Sequence, residues 1–75
     1  MKNLTYRIIL AEEPEWGYTV TVPALPGCIT HGKNIAHARE MAKEAIEGYI
    51  LVLKDLGEPI PDDSTSLEYT LTLAS

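Results

Sequence analysis

The sequence has 75 residues, of which 45% are hydrophobic and 23% charged, and a formal net charge of −5 at pH 7. This composition excludes a disordered chain, and this length excludes two domains, so residues 1–75 are expected to form a single small domain. The excess of carboxylates argues against direct binding to nucleic acid, because carboxylates repel phosphate groups.

Three β-strands are predicted in the first half of the chain. Residues 4–11 place large apolar side chains at every second position, which is the pattern of a half-buried strand. Pro14 and the acids around it interrupt this pattern, and residues 18–22 then resume it. These two segments are expected to form an antiparallel hairpin, and residues 28–31 a short third strand.

The second predicted strand is followed by a stretch in which proline and glycine are frequent, and the third predicted strand lies within this stretch. Residues 23–32 contain two prolines and two glycines. Proline fixes φ and lacks an amide hydrogen, while glycine permits positive φ, so no helix can cross this stretch. It is therefore the point at which the strands end and a helix can begin.

One long amphipathic helix is predicted over residues 34–56. Asn34 is a good N-cap, and apolar residues recur after it at helical spacing. Gly57 follows at the position where a left-handed residue ends many helices. Leu51 and Val52 widen the apolar stripe beyond what one sheet can cover, which indicates a contact with a second copy or with another partner.

A last strand is predicted over residues 67–73, where Leu67, Tyr69, Leu71 and Leu73 alternate with polar residues. The order of elements is then β-β-β-α-β. We predict an α+β fold in which one antiparallel sheet carries one long helix on one face.

No catalytic or cofactor site is predicted. Cys28 and His31 are three residues apart, an odd offset that places the two side chains on opposite faces of a strand, where they cannot act as a nucleophile and its base. His37 lies nearby in sequence, but a zinc site needs three or four converging ligands. A lone cysteine suits a reducing compartment, and no segment has the length of a signal peptide's apolar region or of a membrane span. We expect a cytoplasmic protein that holds neither metal nor cofactor.

Two acidic clusters provide the candidate binding residues, although charge alone favours the simpler interpretation that such acids belong to solvated loops that keep a small protein in solution. The first cluster surrounds a tryptophan at the end of the predicted hairpin, and the second follows the helix. Clustered carboxylates attract basic partners, and an exposed tryptophan is a frequent anchor in protein interfaces. The residues concerned are Glu12, Glu13, Glu15, Trp16, Asp62 and Asp63.

Several short segments together form a pattern over nearly the whole chain. They are Pro23-Ala24-Leu25-Pro26-Gly27-Cys28, Thr30, Gly32, the small residues Ala38 and Ala42, and the closing segment Gly57-Glu58-Pro59-Ile60-Pro61. In this order and at this spacing, the chain resembles the N-terminal domain of the HicB family of antitoxins. That resemblance implies a small, partly degraded RNase H-like fold.

The resemblance also implies a function. A HicB-like domain would be a non-enzymatic protein that neutralises a small basic mRNA interferase of the HicA type by covering its active histidine. The helix departs from the family pattern, because residues 34–38 lack the acids usual after its N-cap. The 75 residues also leave no room for the C-terminal DNA-binding domain of longer members, so we expect neither that domain nor autoregulation here.

Two other classes of function remain open. A stand-alone domain that forms a homo-oligomer (a dimer or tetramer) or binds a small molecule, with no toxin partner, is favoured by the wide apolar stripe and the small core. A residual nuclease or thiol enzyme rests only on analogy of fold and on Cys28. A neighbouring gene for a short basic protein would favour the antitoxin.

Overall fold

The computed structural model describes residues 4–64 and 67–74 and contains three antiparallel strands followed by one long helix. The sheet has the strand order β1-β2-β3. These strands are β1 (Ile9–Glu12), β2 (Tyr18–Thr21) and β3 (Ile29–Gly32), and the helix is α1 (Ile35–Leu56). The predicted α+β arrangement is confirmed.

The register of the strands decides which side chains face the helix. Leu10 of β1, Val20 of β2 and Thr30 of β3 lie opposite one another and share a face. Val20 is fully buried there against Ala38 and Ala42 of α1. Because α1 lies mainly over β3 and β2, the same face of β1 is only partly covered.

Two glycines bring the helix directly onto the sheet. A Cβ atom at Gly32 would lie 2.3 Å from the Cα of Ala38, so only glycine fits at this position. Gly17 has a φ of 56°, and a Cβ there would lie 2.2 Å from the carbonyl oxygen of Gly32. At positions 17 and 32 there is therefore no room for a side chain. The turn before β2 contacts the end of β3, which in turn contacts the start of α1.

The helix begins and ends where local signals predict. The Oδ1 atom of Asn34 accepts a hydrogen bond from the backbone N–H of His37 at 2.8 Å. The ring Nδ1 of His37 in turn accepts one from the N–H of Lys33 at 3.0 Å, much as a glutamate does in a capping box. At the other end Gly57, with a φ of 69°, donates its N–H to the carbonyl of Lys54 at 3.1 Å.

The proline- and glycine-rich stretch enters the core. Leu25 is fully buried and packs with Val22 and Cys28 against Tyr49 of α1. The N–H of Leu25 donates to the carbonyl of Val22 at 3.0 Å, and the N–H of Cys28 donates to the carbonyl of Leu25 at 2.9 Å. The hydroxyl of Tyr49 donates to the carbonyl of Pro26 at 2.8 Å, which ties this loop to the helix.

The first predicted strand, over residues 4–11, is longer than the strand observed. Only Ile9–Glu12 pairs with β2, because the N–H of Val22 bonds to the carbonyl of Cys28 at 3.1 Å and turns the chain into the loop. For the same reason the third strand begins one residue later than the predicted 28–31, since Cys28 belongs to that loop.

The fourth strand, predicted over residues 67–73, is not formed. Residues 67–74, which we call the tail, are assigned to neither strand nor helix. Its four large side chains are 76–87% exposed: Leu67, Tyr69, Leu71 and Leu73. The prediction was wrong for this chain. An alternation of apolar and polar residues shows only that a segment is suited to a strand, whereas a strand also needs a neighbouring strand with which to pair.

Candidate partner-binding surface

The turn between β1 and β2 carries the chain's exposed tryptophan. The N–H of Glu13 donates to the carbonyl of Gly17 at 2.9 Å, which closes the turn. Trp16 is 57% exposed there. An open pocket of about 360 Å³ is lined by Glu13, Pro14, Glu15 and Trp16.

Two carboxylates line the pocket with this indole, those of Glu13 and Glu15. Glu12 is the last residue of β1, and Glu13 and Glu15 belong to the turn. Glu13 is held in place, because its Oε1 accepts a hydrogen bond from the hydroxyl of Thr19 at 2.5 Å. The turn thus carries an aromatic ring with carboxylates beside it, an arrangement that suits a basic protein partner.

Asp62 and Asp63 lie elsewhere, beside the residues that precede β1. The N–H of Asp63 donates to the carbonyl of Thr5 at 2.8 Å, and its Oδ2 accepts from the N–H of Arg7 at 3.1 Å. Asp62 Oδ1 accepts from the N–H of Ser64 at 2.8 Å. Since extended chain advances about 3.3 Å per residue, the two acidic clusters lie on the order of 20 Å apart along the stretch from Thr5 to Glu12. The structure does not bring the six candidate residues onto one surface.

Tyr6 strengthens the contact near Asp62 and Asp63. Its hydroxyl donates a hydrogen bond to the carbonyl of Pro61. Burial raises the pKa of the Tyr6 phenol, and the carboxylates of Asp62 and Asp63 raise it further. The phenol therefore remains a protonated donor, and these two acids hold the returning chain in place.

Leu51 and Val52 are both exposed, by 62% and 56%, but they do not form one patch. Adjacent helical residues point about 100° apart. Leu51 borders a groove of about 320 Å³ that also contacts Leu4 and Ile50. Val52 borders another, of about 280 Å³, together with Leu56.

The cysteine and histidine considered for catalysis lie in different surroundings. Cys28 is 5% exposed, and burial raises the pKa of its thiol, which stays protonated at neutral pH. His31 lies on the open face of the sheet, opposite Thr19. Within residues 4–64 and 67–74, no three His, Cys, Asp or Glu side chains are grouped so that they could hold a metal ion. In the same part of the chain, no helix combines the length and apolarity that a membrane span requires.

An apolar groove that the sequence did not predict lies between residues 4–8 and α1. Its volume is about 290 Å³. The alternation in residues 4–11 indicated an apolar face, but it carried no information on how far the helix would extend over it. The lining residues are Leu4, Tyr6, Ile8, Arg39, Ala42, Lys43, Ile46 and Glu47.

Comparison with known proteins finds a family match over most of the chain. A family model described as "HicB_like antitoxin of bacterial toxin-antitoxin system" matches residues 6–73. The chain belongs to the HicB-like antitoxin family. This HicB-like chain is 44% identical over 61 residues to a UPF0150 protein of Thermoplasma acidophilum, a match that covers 81% of the chain and 88% of the relative. UPF0150 proteins of Archaeoglobus fulgidus (38% over 53 residues, 71% and 77% covered) and of Synechocystis (34% over 58 residues, 77% and 73% covered) are also similar.

Membership of the HicB-like family supports a role in a toxin–antitoxin system, a non-catalytic function and, in general terms, a toxin as partner. The loop that carried the resemblance, residues 23–28, has a structural task in this chain, because it places Leu25 in the core. The segments quoted for the resemblance do not include the exposed acidic turn, although the family match spans it.

Proposed function

We propose that this HicB-like chain neutralises a small basic mRNA interferase of the HicA type, in the cytoplasm, by binding it and covering its active histidine. The observation that carries the proposal is the exposed Trp16, which shares a pocket with Glu13 and Glu15 and follows Glu12 closely in the sequence. Carboxylates accelerate the encounter with a basic toxin, and a tryptophan that becomes buried on binding slows its release. Family membership supports the same partner class.

The proposed mechanism is steric and involves no reaction on the toxin. The Cys28 thiol is buried and protonated, and His31 lies on the open sheet face, so these two side chains do not form a nucleophile and its base. Binding alone has to supply the inhibition.

The test is the binding kinetics of the purified chain with a small basic protein of the HicA type. We expect Trp16→Ala to weaken binding by about 2 kcal/mol or more, mainly through faster dissociation. Leu56→Ala is the matched control, because Leu56 is 68% exposed at the far end of α1 and should change little.

In the same assay, charge reversal distinguishes the electrostatic attraction that accelerates association from the contact of Trp16 that slows dissociation. Changing Glu12, Glu13 and Glu15 to lysine should slow association, and the effect should fade as salt rises. Its control reverses three other exposed acids on α1, namely Glu40, Glu44 and Glu47, which changes the net charge equally. If the Trp16 variant and the turn reversal both neutralised the toxin with unchanged kinetics, the docking surface would lie elsewhere, with Asp62 and Asp63 the next candidates.

We also propose that the protein self-associates, as a dimer or tetramer. The described residues include only six buried apolar side chains: Val20, Val22, Leu25, Cys28, Ala38 and Ala42. A core of this size is small, and oligomerisation is a common way to supplement it. Exposed apolar residues such as Leu51 and Val52 support the proposal, and a mass in solution above 8.3 kDa would be the first sign of it.

A further inference from the structure

We propose that the pocket beside Trp16 receives the side chain of one arginine of a protein partner, with the guanidinium stacked on the indole and paired with the carboxylates of Glu13 and Glu15. The inference rests on the proposed function and names the chemical group that this surface recognises. It goes beyond general attraction between opposite charges, because it commits to a single side chain and to the two contacts that this side chain makes.

The feature that points to a ligand is the aromatic ring rather than the acids. Clustered carboxylates on a small acidic protein are often no more than part of a solvated loop. Trp16, however, is the only tryptophan of the sequence and is 57% exposed within the pocket. Tryptophan is enriched at the energetic centres of protein interfaces, and its ring attracts cations more strongly than the rings of tyrosine and phenylalanine.

The pocket combines an apolar wall with a charged one. Its volume of about 360 Å³ lies at the lower end of the range for pockets that bind small ligands, which is room for one long side chain. The indole and the ring of Pro14 form the apolar wall, and Glu13 and Glu15 form the charged one. One oxygen of Glu13 accepts the hydrogen bond from Thr19, which orients the carboxylate and leaves its second oxygen available to another donor.

Arginine has both of the properties that these walls require. Its aliphatic stem packs on apolar surface while its charged head remains near water. The guanidinium is planar and weakly hydrated, so it stacks on aromatic faces and donates paired hydrogen bonds to carboxylates. The ammonium of lysine is compact and strongly hydrated, and it therefore gains less from an indole face.

Other ligand classes fit the pocket less well. A carboxylate or phosphate ligand would be repelled by Glu13 and Glu15. A metal ion would need at least three ligands, and the described part of the chain contains no such group of His, Cys, Asp and Glu side chains. A basic protein is attracted by the net charge of −5 over its whole surface and supplies the arginine as part of that surface.

The experiment measures the binding of N-acetyl-arginine amide to the purified chain through the fluorescence of Trp16, at constant ionic strength. Because the sequence has one tryptophan, its emission reports on this pocket alone. We expect a saturable change with a dissociation constant on the order of millimolar. N-acetyl-lysine amide should bind about 3-fold more weakly or worse. N-acetyl-citrulline amide, which has a similar shape without the charge, should bind about 10-fold more weakly or worse.

Backbone amide shifts measured by nuclear magnetic resonance extend the test to variants. Trp16→Phe keeps an aromatic face and should weaken binding of the arginine amide by about 5-fold or less, whereas Trp16→Leu keeps only apolar bulk and should abolish it. Glu13→Gln and Glu15→Gln should each weaken binding by about 3- to 10-fold. Glu40→Gln is the matched control, because it removes the same charge from an exposed position on α1, and it should change binding by less than about 2-fold. Unchanged shifts of α1 show that each variant is folded.

Four results would overturn the arginine pocket. They are the absence of saturable binding, equal binding of the arginine and lysine amides, binding that survives Trp16→Leu, and a loss with Glu40→Gln as large as the losses with Glu13→Gln and Glu15→Gln. The proposed function fails separately. Toxin binding unchanged by Trp16→Ala would refute that function even where the arginine amide binds, and a toxin held through Trp16 by a chain that does not bind the arginine amide would refute the arginine pocket alone.

Discussion

Tyr6 links two segments of the chain that are far apart in sequence. Its ring packs against the cluster of Val22, Leu25 and Cys28, and its hydroxyl donates to the carbonyl of Pro61. A single side chain thus joins the segment before β1 to the chain that returns from the helix. Its raised pKa makes this link dependent on pH.

We expect the protein to lose stability in alkali through Tyr6. A phenol whose pKa is raised on folding contributes stability that is complete below its unfolded pKa, about 10, and is lost as the pH rises through the folded value. Urea denaturation at pH 8 and at stepwise higher pH should show the decline in wild type and a smaller one in Tyr6→Phe. An identical pH dependence in the two proteins would refute the assignment to Tyr6.

At the scale of elements, the helix packs on the sheet through glycine. Gly32 lies against the backbone of Ala38, whereas a Cβ at Gly48, within α1, would meet no atom within 4 Å. The two glycines therefore provide a controlled comparison. Gly32 is required by the close approach of the helix, whereas Gly48 is only tolerated within the helix.

Alanine at these two positions should have effects of opposite sign. Gly32→Ala should lower the free energy of unfolding by about 2 kcal/mol or more, because its Cβ would overlap the backbone of Ala38. Gly48→Ala should raise it by about 0.5–1 kcal/mol through better helix propensity. Chemical denaturation of both variants measures this, and a Gly32→Ala protein as stable as wild type would contradict the close contact.

The helix could be predicted from sequence because its signals are local. Asn34 and Gly57 each act on a neighbouring turn, and both occupy the expected caps. The extents of the strands could not be predicted, since they depend on distant partners. Val22 leaves the ladder to bond with Cys28, and residues 67–74 form no strand with any other residue that the structure describes.

The candidate binding residues, like the secondary structure, could be predicted only where their arrangement depends on residues that are close in sequence. The exposure of Trp16 follows from a turn whose residues are adjacent in sequence. The separation of Asp62 and Asp63 from that turn depends on where the chain returns after α1, which no short pattern specifies. The His37 ring, which takes the place of a capping acid, was visible in the sequence only as a missing carboxylate.

At the scale of the whole molecule, negative charge flanks both ends of β1. The net charge of −5 comes with acidic groups at the exposed turn and at the returning chain. Such a surface attracts basic proteins and repels polyanions over a distance of about 8–10 Å at physiological salt.

We therefore expect these 75 residues not to bind duplex DNA at physiological salt. Fluorescence anisotropy with a labelled duplex should show no change at concentrations that saturate the toxin. The triple lysine variant of Glu12, Glu13 and Glu15 is a useful comparison, because it removes the repulsion at one end. Sequence-specific binding by the wild-type chain would contradict this expectation.

The hydrogen bond from the hydroxyl of Tyr49 to the carbonyl of Pro26 affects how the folded protein unfolds locally. A surface loop ordinarily exchanges its amide hydrogens through small local fluctuations. Here the amides of Leu25 and Cys28 are bonded within a loop whose central side chain is buried beneath the second half of α1. Freeing them requires the loop to leave the helix, so loop and helix should exchange as one cooperative unit, while the turn with Trp16 exchanges independently and stays free to adapt to a partner.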